Sequence, residues 1–260
     1  MATGRTKIKW WRVYIDGYDM SGFSRSIGPL EMVYDEVDMT APMSDTVKGY
    51  LPNQGHVNTG TLNAVFDNTA TTGLHALMIT AGISRNVITA IGMRAIPAGG
   101  DPCFGGTFID TAYQVTQDGG AVTATIPFAG WSVEKSANYV SPWGTLLHAN
   151  GPETGVNSGT GYDNPTGAST AKGGYFMYHV LASSNPTHTA TLSVDDAATN
   201  AGGSFAPLSG ATSGSITVTA GVSGIIFLGN TATVRQFLRW QIALGTATSV
   251  TFVSAFFRAY

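Results

Sequence analysis

Apolar residues recur along most of this chain at every second position, the period of a half-buried strand. Trp11, Val13 and Ile15 alternate with Arg12, Tyr14 and Asp16, and a turn follows at Gly17 and Gly22. Short strands are expected over 61–66 and 87–93, and a hairpin from 108–115 and 121–128 reverses at Asp118-Gly119-Gly120. Later, strands are predicted over 175–181, 189–194, 215–220 and 224–228. The strongest local signal is a closing hairpin. Val234, Leu238, Trp240, Ile242 and Leu244 share one face, with Gln236 the exception, while Arg235, Phe237, Arg239 and Gln241 share the other. A turn over 245–248 leads into 250–258, which is apolar at nearly every position and therefore expected to be buried on both faces, by a sheet inside and a neighbour outside. One segment has helical period. Leu74, Leu77, Met78 and Ala81 fall at i, i+3, i+4 and i+7 and predict a helix over 72–81, with capping oxygens at 68–72 and Gly82 just past its end.

Two stretches break the pattern. Residues 35–59 hold Pro42, Pro52, Gly49 and Gly55 and read as a long loop, a feature that tends to be functional in a compact domain. Residues 134–174 are dominated by Gly, Asn, Ser, Thr and Pro, with an apolar island running from Trp143 to His148. A boundary near Val140 divides the chain into a β domain over 1–140, with an N-terminal arm and the long loop, and a second β-sandwich over 141–260 with a linker-like start at 141–174. The fold class is mainly β with one helix, and both halves suit β-sandwiches.

Composition changes the picture in one respect. Charged residues make up 11% of the chain, against about 25% in an ordinary domain, and 33 of 260 residues are Gly. Such a surface is polar through hydroxyls and amides rather than charge. A lone soluble monomer keeps more charge than this, so the chain reads as a subunit whose outer faces meet copies of itself. The net charge of −3 provides no global basic field for nucleic acid. The signs are segregated, however. Arg5, Lys7, Lys9 and Arg12 crowd the start; Glu31, Asp35, Glu36, Asp38 and Asp45 follow with no base between Arg25 and Lys48; after Asp196 only Arg235, Arg239 and Arg258 are charged. A single cysteine, Cys103, permits no intrachain disulfide. No signal-peptide core and no run of about 18 apolar residues is present, so a soluble protein made in the cytoplasm is expected.

Little chemistry is legible. His56, His75, His148, His179 and His188 lack metal-ligand spacing, and His75, beside the helix stripe, reads as a hydrogen-bonded structural residue. No nucleophile elbow or phosphate loop occurs, and Gly159-Thr-Gly161 is an ordinary loop. Asp35, Glu36 and Asp38 lie on an extended segment where neighbours point apart, which suits a solvated acidic surface better than a glycosidase pair. Asp195-Asp196 reads as a strand-end turn rather than a calcium loop, and Cys103 as packed rather than nucleophilic. Basic residues beside Trp10 and Trp11 can bind nucleic acid, but an assembly arm is the preferred reading. No enzyme activity, cofactor or metal is expected.

Three segments carry a resemblance to a known family. Arg12-Val-Tyr-Ile-Asp-Gly-Tyr-Asp-Met-Ser-Gly22 resembles the opening strand and turn of bacteriophage tail tube proteins, the major tail proteins of long flexible tails. Gly60-Thr-Leu-Asn-Ala-Val-Phe-Asp-Asn-Thr-Ala-Thr-Thr-Gly-Leu-His75 resembles their strand leading into a single helix. Gly229-Asn-Thr-Ala-Thr-Val-Arg-Gln-Phe-Leu-Arg-Trp240, with Thr251-Phe-Val-Ser-Ala-Phe-Phe-Arg258, resembles their closing hairpin.

The resemblance implies a fold, a mainly β tail-tube-like sandwich or barrel with one flanking helix, followed by a second β-sandwich of jelly-roll or tube-like type, and a virion protein assembled in the host cytoplasm. It implies rings, usually hexameric, stacked into a hollow tube that conducts DNA out of the capsid. Its partners would be copies of itself, other phage tail proteins and genomic DNA passing without specific binding. Under that reading Asp16, Asp19, Glu31, Asp35, Glu36 and Asp38 are candidates to face the lumen. Thr40, Pro42, Val47, Tyr50 and Leu51 are candidates for a loop between subunits, and Lys7, Lys9, Trp10 and Trp11 for the arm. The second unit is either an outward decoration or a second tube-like domain, in which case a trimer makes a pseudo-hexameric ring. Two alternatives stay open: another virion β-protein, such as a capsid decoration or tail-tip component, and a carbohydrate-binding or adhesin module using Arg235, Phe237, Arg239 and Trp240 with Tyr175 and Tyr178.

Overall fold

A computed structural model describes residues 7–38, 50–93, 95–130, 141–163 and 169–259. After a single 3-10 turn at Ile8–Trp10, the first half runs β1 (Trp11–Ile15), β2 (Tyr18–Asp19), β3 (Ser24–Gly28), β4 (Glu31–Asp38), β5 (Tyr50–Asn58), β6 (Thr61–Val65), helix α1 (Leu74–Met78), β7 (Ser84–Ile91), β8 (Pro102–Asp110), β9 (Gln114–Asp118) and β10 (Ala121–Ala129). The second half contains β11 (Trp143–Glu153), β12 (Asn157–Ser158), β13 (Tyr162–Asp163), β14 (Gly174–Ser183), β15 (Thr189–Ala197), β16 (Ala206–Thr212), β17 (Ile216–Thr217), β18 (Val222–Phe227), β19 (Phe237–Leu244) and β20 (Val250–Arg258). The protein is mainly β and its sheets are antiparallel throughout.

Twelve strands form one sheet in the order β18-β14-β20-β11-β8-β10-β6-β3, with β7, β1 and β2 continuing from β8 and β9 flanking β10. Six more form a second sheet, β12-β19-β15-β16, with β13 on β19 and β17 on β15. Strands β4 and β5 make a two-stranded sheet of their own.

The large sheet curls until its ends meet. Along the path from β14 through β20, β11, β8 and β7 to β1, the first and last strands are five steps apart, yet the Tyr14 and His179 rings lie 6.4 Å from centroid to centroid. The Gly17 amide donates to His179 Nδ1 at 2.9 Å, and Asn86 Nδ2 donates to Ser223 Oγ at 3.0 Å. Inside the curl lies one apolar cluster drawn from both halves of the chain: Tyr14, Ile88 and Cys103 meet Leu146, Tyr175, Met177 and Phe257. Tyr175 donates its hydroxyl across this interior to the Gly105 carbonyl at 2.8 Å.

Two further cores pack outside it. In the first half Val13, Ile15, Leu62, Leu74, Phe104 and Ile126 cluster under α1. In the second half Leu147, Phe176, Phe252 and Phe256 meet Leu192, Val194, Leu238 and Trp240 from the smaller sheet. The position expected as a domain boundary is therefore crossed by the large sheet, since β11 pairs with β8 at Trp143↔Phe104 and with β20 at Thr145↔Phe256.

Several expectations need correction. The closing hairpin does not exist as a paired unit. β19 pairs with β15 and belongs to the small sheet, whereas β20 pairs with β11 and β14 in the large one. The turn over 245–248 is an arch between two packed sheets, because β19 is apolar on one face only while β20 needs cover on both. That cover comes from the same chain: Val253 and Phe257 enter the curled interior, and Phe252 and Phe256 enter the sandwich. The linker-like start at 141–174 contains β11, a central strand. The long loop 35–59 contains the second half of β4 and all of β5. The helix spans only Leu74–Met78, with Gly73 at its N-cap, no side-chain cap, and Ile79 at its C-cap. The Gly82 amide bonds to the Asp110 carbonyl instead of closing the helix.

Closure of the curl demands glycine. Gly17 has φ +81°, and a Cβ there would lie 2.6 Å from the Val222 amide nitrogen, with backbone on all sides. We expect Gly17→Ala to lower stability by at least about 2 kcal/mol, combining left-handed strain with overpacking. Gly119→Ala, at φ +55° with nothing within 4 Å, should cost about 1 kcal/mol; urea unfolding of both variants makes the comparison.

The seam is also acid-labile. His179 is fully buried, accepts from Gly17 through Nδ1, and is pushed down to about 3 by burial. Burial also lowers His148, against the pull of Glu153 and the Phe252 carbonyl. Unfolded histidines bind a proton below about pH 6.5; burial holds folded His179 neutral down to about 3 and makes folded His148 harder to protonate than when unfolded. Stability is thus full above about pH 6.5 and falls as pH drops, by up to about 1.4 kcal/mol per pH unit for His179. Between pH 6.5 and 5, His179→Gln should flatten the measured slope of urea-unfolding stability.

Candidate assembly surface

The first half projects one element beyond its core. The β4–β5 hairpin is rooted by Leu30, Met32 and Val57, which pack against the core under α1. At its base Asn58 Oδ1 accepts from the Gly60 amide at 2.7 Å, and Asn58 Nδ2 reaches Glu31 at 3.4 Å. One residue beyond the root the burial stops. Val57 is 4% exposed, but Val33 and Tyr34 are 37% and 39% exposed. A register shift between Tyr34 and Glu36 then bends the ladder. Beyond it Val37↔Leu51 and Asp38↔Tyr50 continue the pairing. Eight residues of strand span about 26 Å at the usual rise, of which the root lies on the core.

Of the residues expected between subunits, Tyr50 and Leu51 lie on β5, and Thr40, Pro42 and Val47 lie outside the described residues. Among the acids expected at a lumen, Glu31, Asp35, Glu36 and Asp38 all lie on β4. Asp19 is a turn acceptor, taking the Ser21 amide at 2.9 Å and Asn150 Nδ2 at 3.1 Å. Asp16 is committed inside the subunit. Its Oδ1 accepts the Asn86 amide at 2.8 Å and its Oδ2 pairs with Arg85 at 3.2 Å. Arg85 is shared with Asp110 at 2.9 Å and with the Thr80 carbonyl at 3.0 Å. Sequence spacing gave no sign of this triad, whose members stand on a turn and two strands.

The segment expected as an arm is docked from Lys7 onward. The Trp10 amide donates to the Lys7 carbonyl at 2.9 Å, and the Gly92 amide to the Trp10 carbonyl at 3.0 Å. Lys9 lies over the Trp10 ring, 5.4 Å from its centroid. Trp11 opens β1 and helps line a cleft of about 170 Å³ with Lys9, Arg12 and Arg25. Arg25 is 13 residues from Arg12 in sequence and arrives there on β3.

Other candidates for chemistry prove structural. His75 Nδ1 lies 3.1 Å from the Tyr113 hydroxyl and its ring packs on Phe66. Cys103 is buried, and burial pushes its thiol up. Asp195 takes two bonds from Arg239 and one from Gln241, and Asp196 accepts the Arg235 amide. Tyr175, Tyr178 and Trp240 are all buried, which removes three of the four rings named for the carbohydrate reading and leaves Phe237 half-buried. Phe205, which the sequence did not single out, packs on Arg239 at 4.6 Å. Among the described residues, no three His, Cys, Asp or Glu side chains group to hold a metal ion, and no helix is long and apolar enough to cross a membrane.

No family model and no curated protein matches this chain. Among solved structures, it is similar to the crystal structure of the SPP1 Dit (gp 19.1) protein, described as a paradigm of the hub adsorption apparatus in phages that infect Gram-positive hosts. That match has 8% identity and a TM-score of 0.34, and it covers 96% of this chain and 99% of the other. A second similarity, to a Bacillus thuringiensis Cry1Da tryptic core variant, has 8% identity and a TM-score of 0.18, covering 91% of this chain and 53% of that one.

The burial step along the hairpin is testable. Val57→Ala should cost about 2 kcal/mol for its lost buried side chain, whereas Val33→Ala, one register pair away, should change urea-unfolding stability by less than about 0.5 kcal/mol.

Proposed function

We propose that this chain is a structural subunit of a bacteriophage tail that associates with copies of itself, head to tail, into rings that stack as a tail tube around exiting DNA. The observation that carries the reading is the β4–β5 hairpin. It forms a sheet by itself, with exposed Val33 and Tyr34 just beyond its buried root. A two-stranded ribbon is marginal on its own in water, and its open edges invite pairing. A neighbouring subunit supplies both cover and partner.

Three further features support this reading: the likeness of the three sequence segments to phage tail tube proteins, the scarcity of charge, and the all-β architecture. Heterologous contacts that close by rotation give rings, and a repeated contact along the axis gives a stack. A net charge of −3 suits a conduit, since a strongly basic lining would hold phosphate tightly through counterion release.

Light scattering and negative-stain microscopy of the purified chain test the proposal. Rings or tubes growing with concentration are the expected result, and deletion of residues 40–55 should leave a folded, unassembled subunit. A chain that stays single at high concentration overturns it.

A further inference from the structure

We infer that the Lys9–Arg12–Arg25 cleft is the receptor for the acidic β4 strand of a second copy of this chain. The inference rests on the self-association proposed above and names the contact that would carry it. Its starting point is how this charge-poor chain uses its cations. Arg85, Arg235 and Arg239 are each paired with a carboxylate of the same chain. Lys9, Arg12 and Arg25 are brought together on one cleft, and among the described residues none of the three forms an ion pair. Among the described residues, no acid lines the cleft.

The cleft is also shaped and partly fixed. Arg12 is held by Nη1 bonds to the Lys9 and Trp11 carbonyls at 3.1 and 2.8 Å. Ser21 accepts the Val13 amide at 3.0 Å, and Ser24 donates to the Met20 carbonyl at 2.7 Å. These serines are spent inside the subunit, so the charge offered outward is cationic.

The complement stands on the projecting hairpin. β4 carries Glu31, Asp35, Glu36 and Asp38 and no base. The acids of β4 and the three cations of the cleft, which form no ion pair among the described residues, are opposite in sign. Placed head to tail, the hairpin of one copy on the cleft of the next is the heterologous geometry from which rings and stacks are built. Such a contact is steered by charge and weakened by salt.

The experiment is a charge exchange between two variants, Lys9→Glu/Arg25→Glu and Glu36→Lys/Asp38→Lys. Both cleft positions are exposed, and far-UV circular dichroism with thermal melting establishes that each variant is folded. Self-association is then measured by light scattering at low and high salt. Each variant alone should associate roughly tenfold or more weakly than the parent, because like charges are juxtaposed. An equimolar mixture should recover association, since the acidic cleft of one takes the basic hairpin of the other and the reverse contact is native. Normal association of either variant alone, or no recovery on mixing, overturns the inference while an assembling parent chain leaves the proposed function standing. A parent that never associates overturns both. Should a variant fail to fold, the single changes Arg25→Glu and Glu36→Lys are exchanged in the same way and read by the same criteria.

Discussion

Everything in this fold hangs on a backbone-to-backbone contact between the turn at Gly17 and the turn at Gly221. The Gly221 amide reaches the Gly17 carbonyl at 3.3 Å, and His179 accepts the Gly17 amide from the side. Both glycines have positive φ, and a Cβ on Gly221 would run into the Tyr18 hydroxyl. Without that approach the large sheet would lie open and its inner face, lined by Ile88, Cys103, Met177 and Phe257, would meet water. Burial of aliphatic and aromatic side chains at about 25 cal/mol per Å² is the main gain in such a core, and here the gain is available only if two remote turns fit.

The same closure explains why the two halves are hard to separate. β8 contributes Phe104 and Phe108 to the first core and Cys103 to the shared interior, and it pairs with β7, β10 and β11. The polar groups at the seam are mostly satisfied within it. Asn86 holds Ser223 and Thr107 by its side chain and Asp16 by its amide. His179 Nε2 is a buried exception with no partner, in line with a ring kept neutral by burial.

The core satisfies its own charges in pairs, Arg85 with Asp16 and Asp110, Arg239 with Asp195. The cleft beside β1 and β3 differs: among the described residues Lys9, Arg12 and Arg25 form no ion pair there. With four acids on β4, the charge segregated along the sequence is also segregated in the fold.

The sequence alone determined the class of the fold, because period-two alternation over 11–15, 175–181 and 189–194 has no other stable use, and because Trp240 and Leu238 fall on one face whatever their partner. It also exposed the segregation of charge, which is a property of order along the chain. Tertiary structure decided which strands pair. β19 and β20 look like a hairpin because they are adjacent and apolar, yet pairing depends on what covers each face, and β20 required two covers that only remote strands supply. β11 was hidden by its Gly, Asn and Pro residues, whose low strand propensity is overridden by neighbours on both sides. The Asp16–Arg85–Asp110 triad and the meeting of Arg12 with Arg25 were likewise invisible, since ion pairs and clefts are set by distances in space that a linear order of residues does not encode.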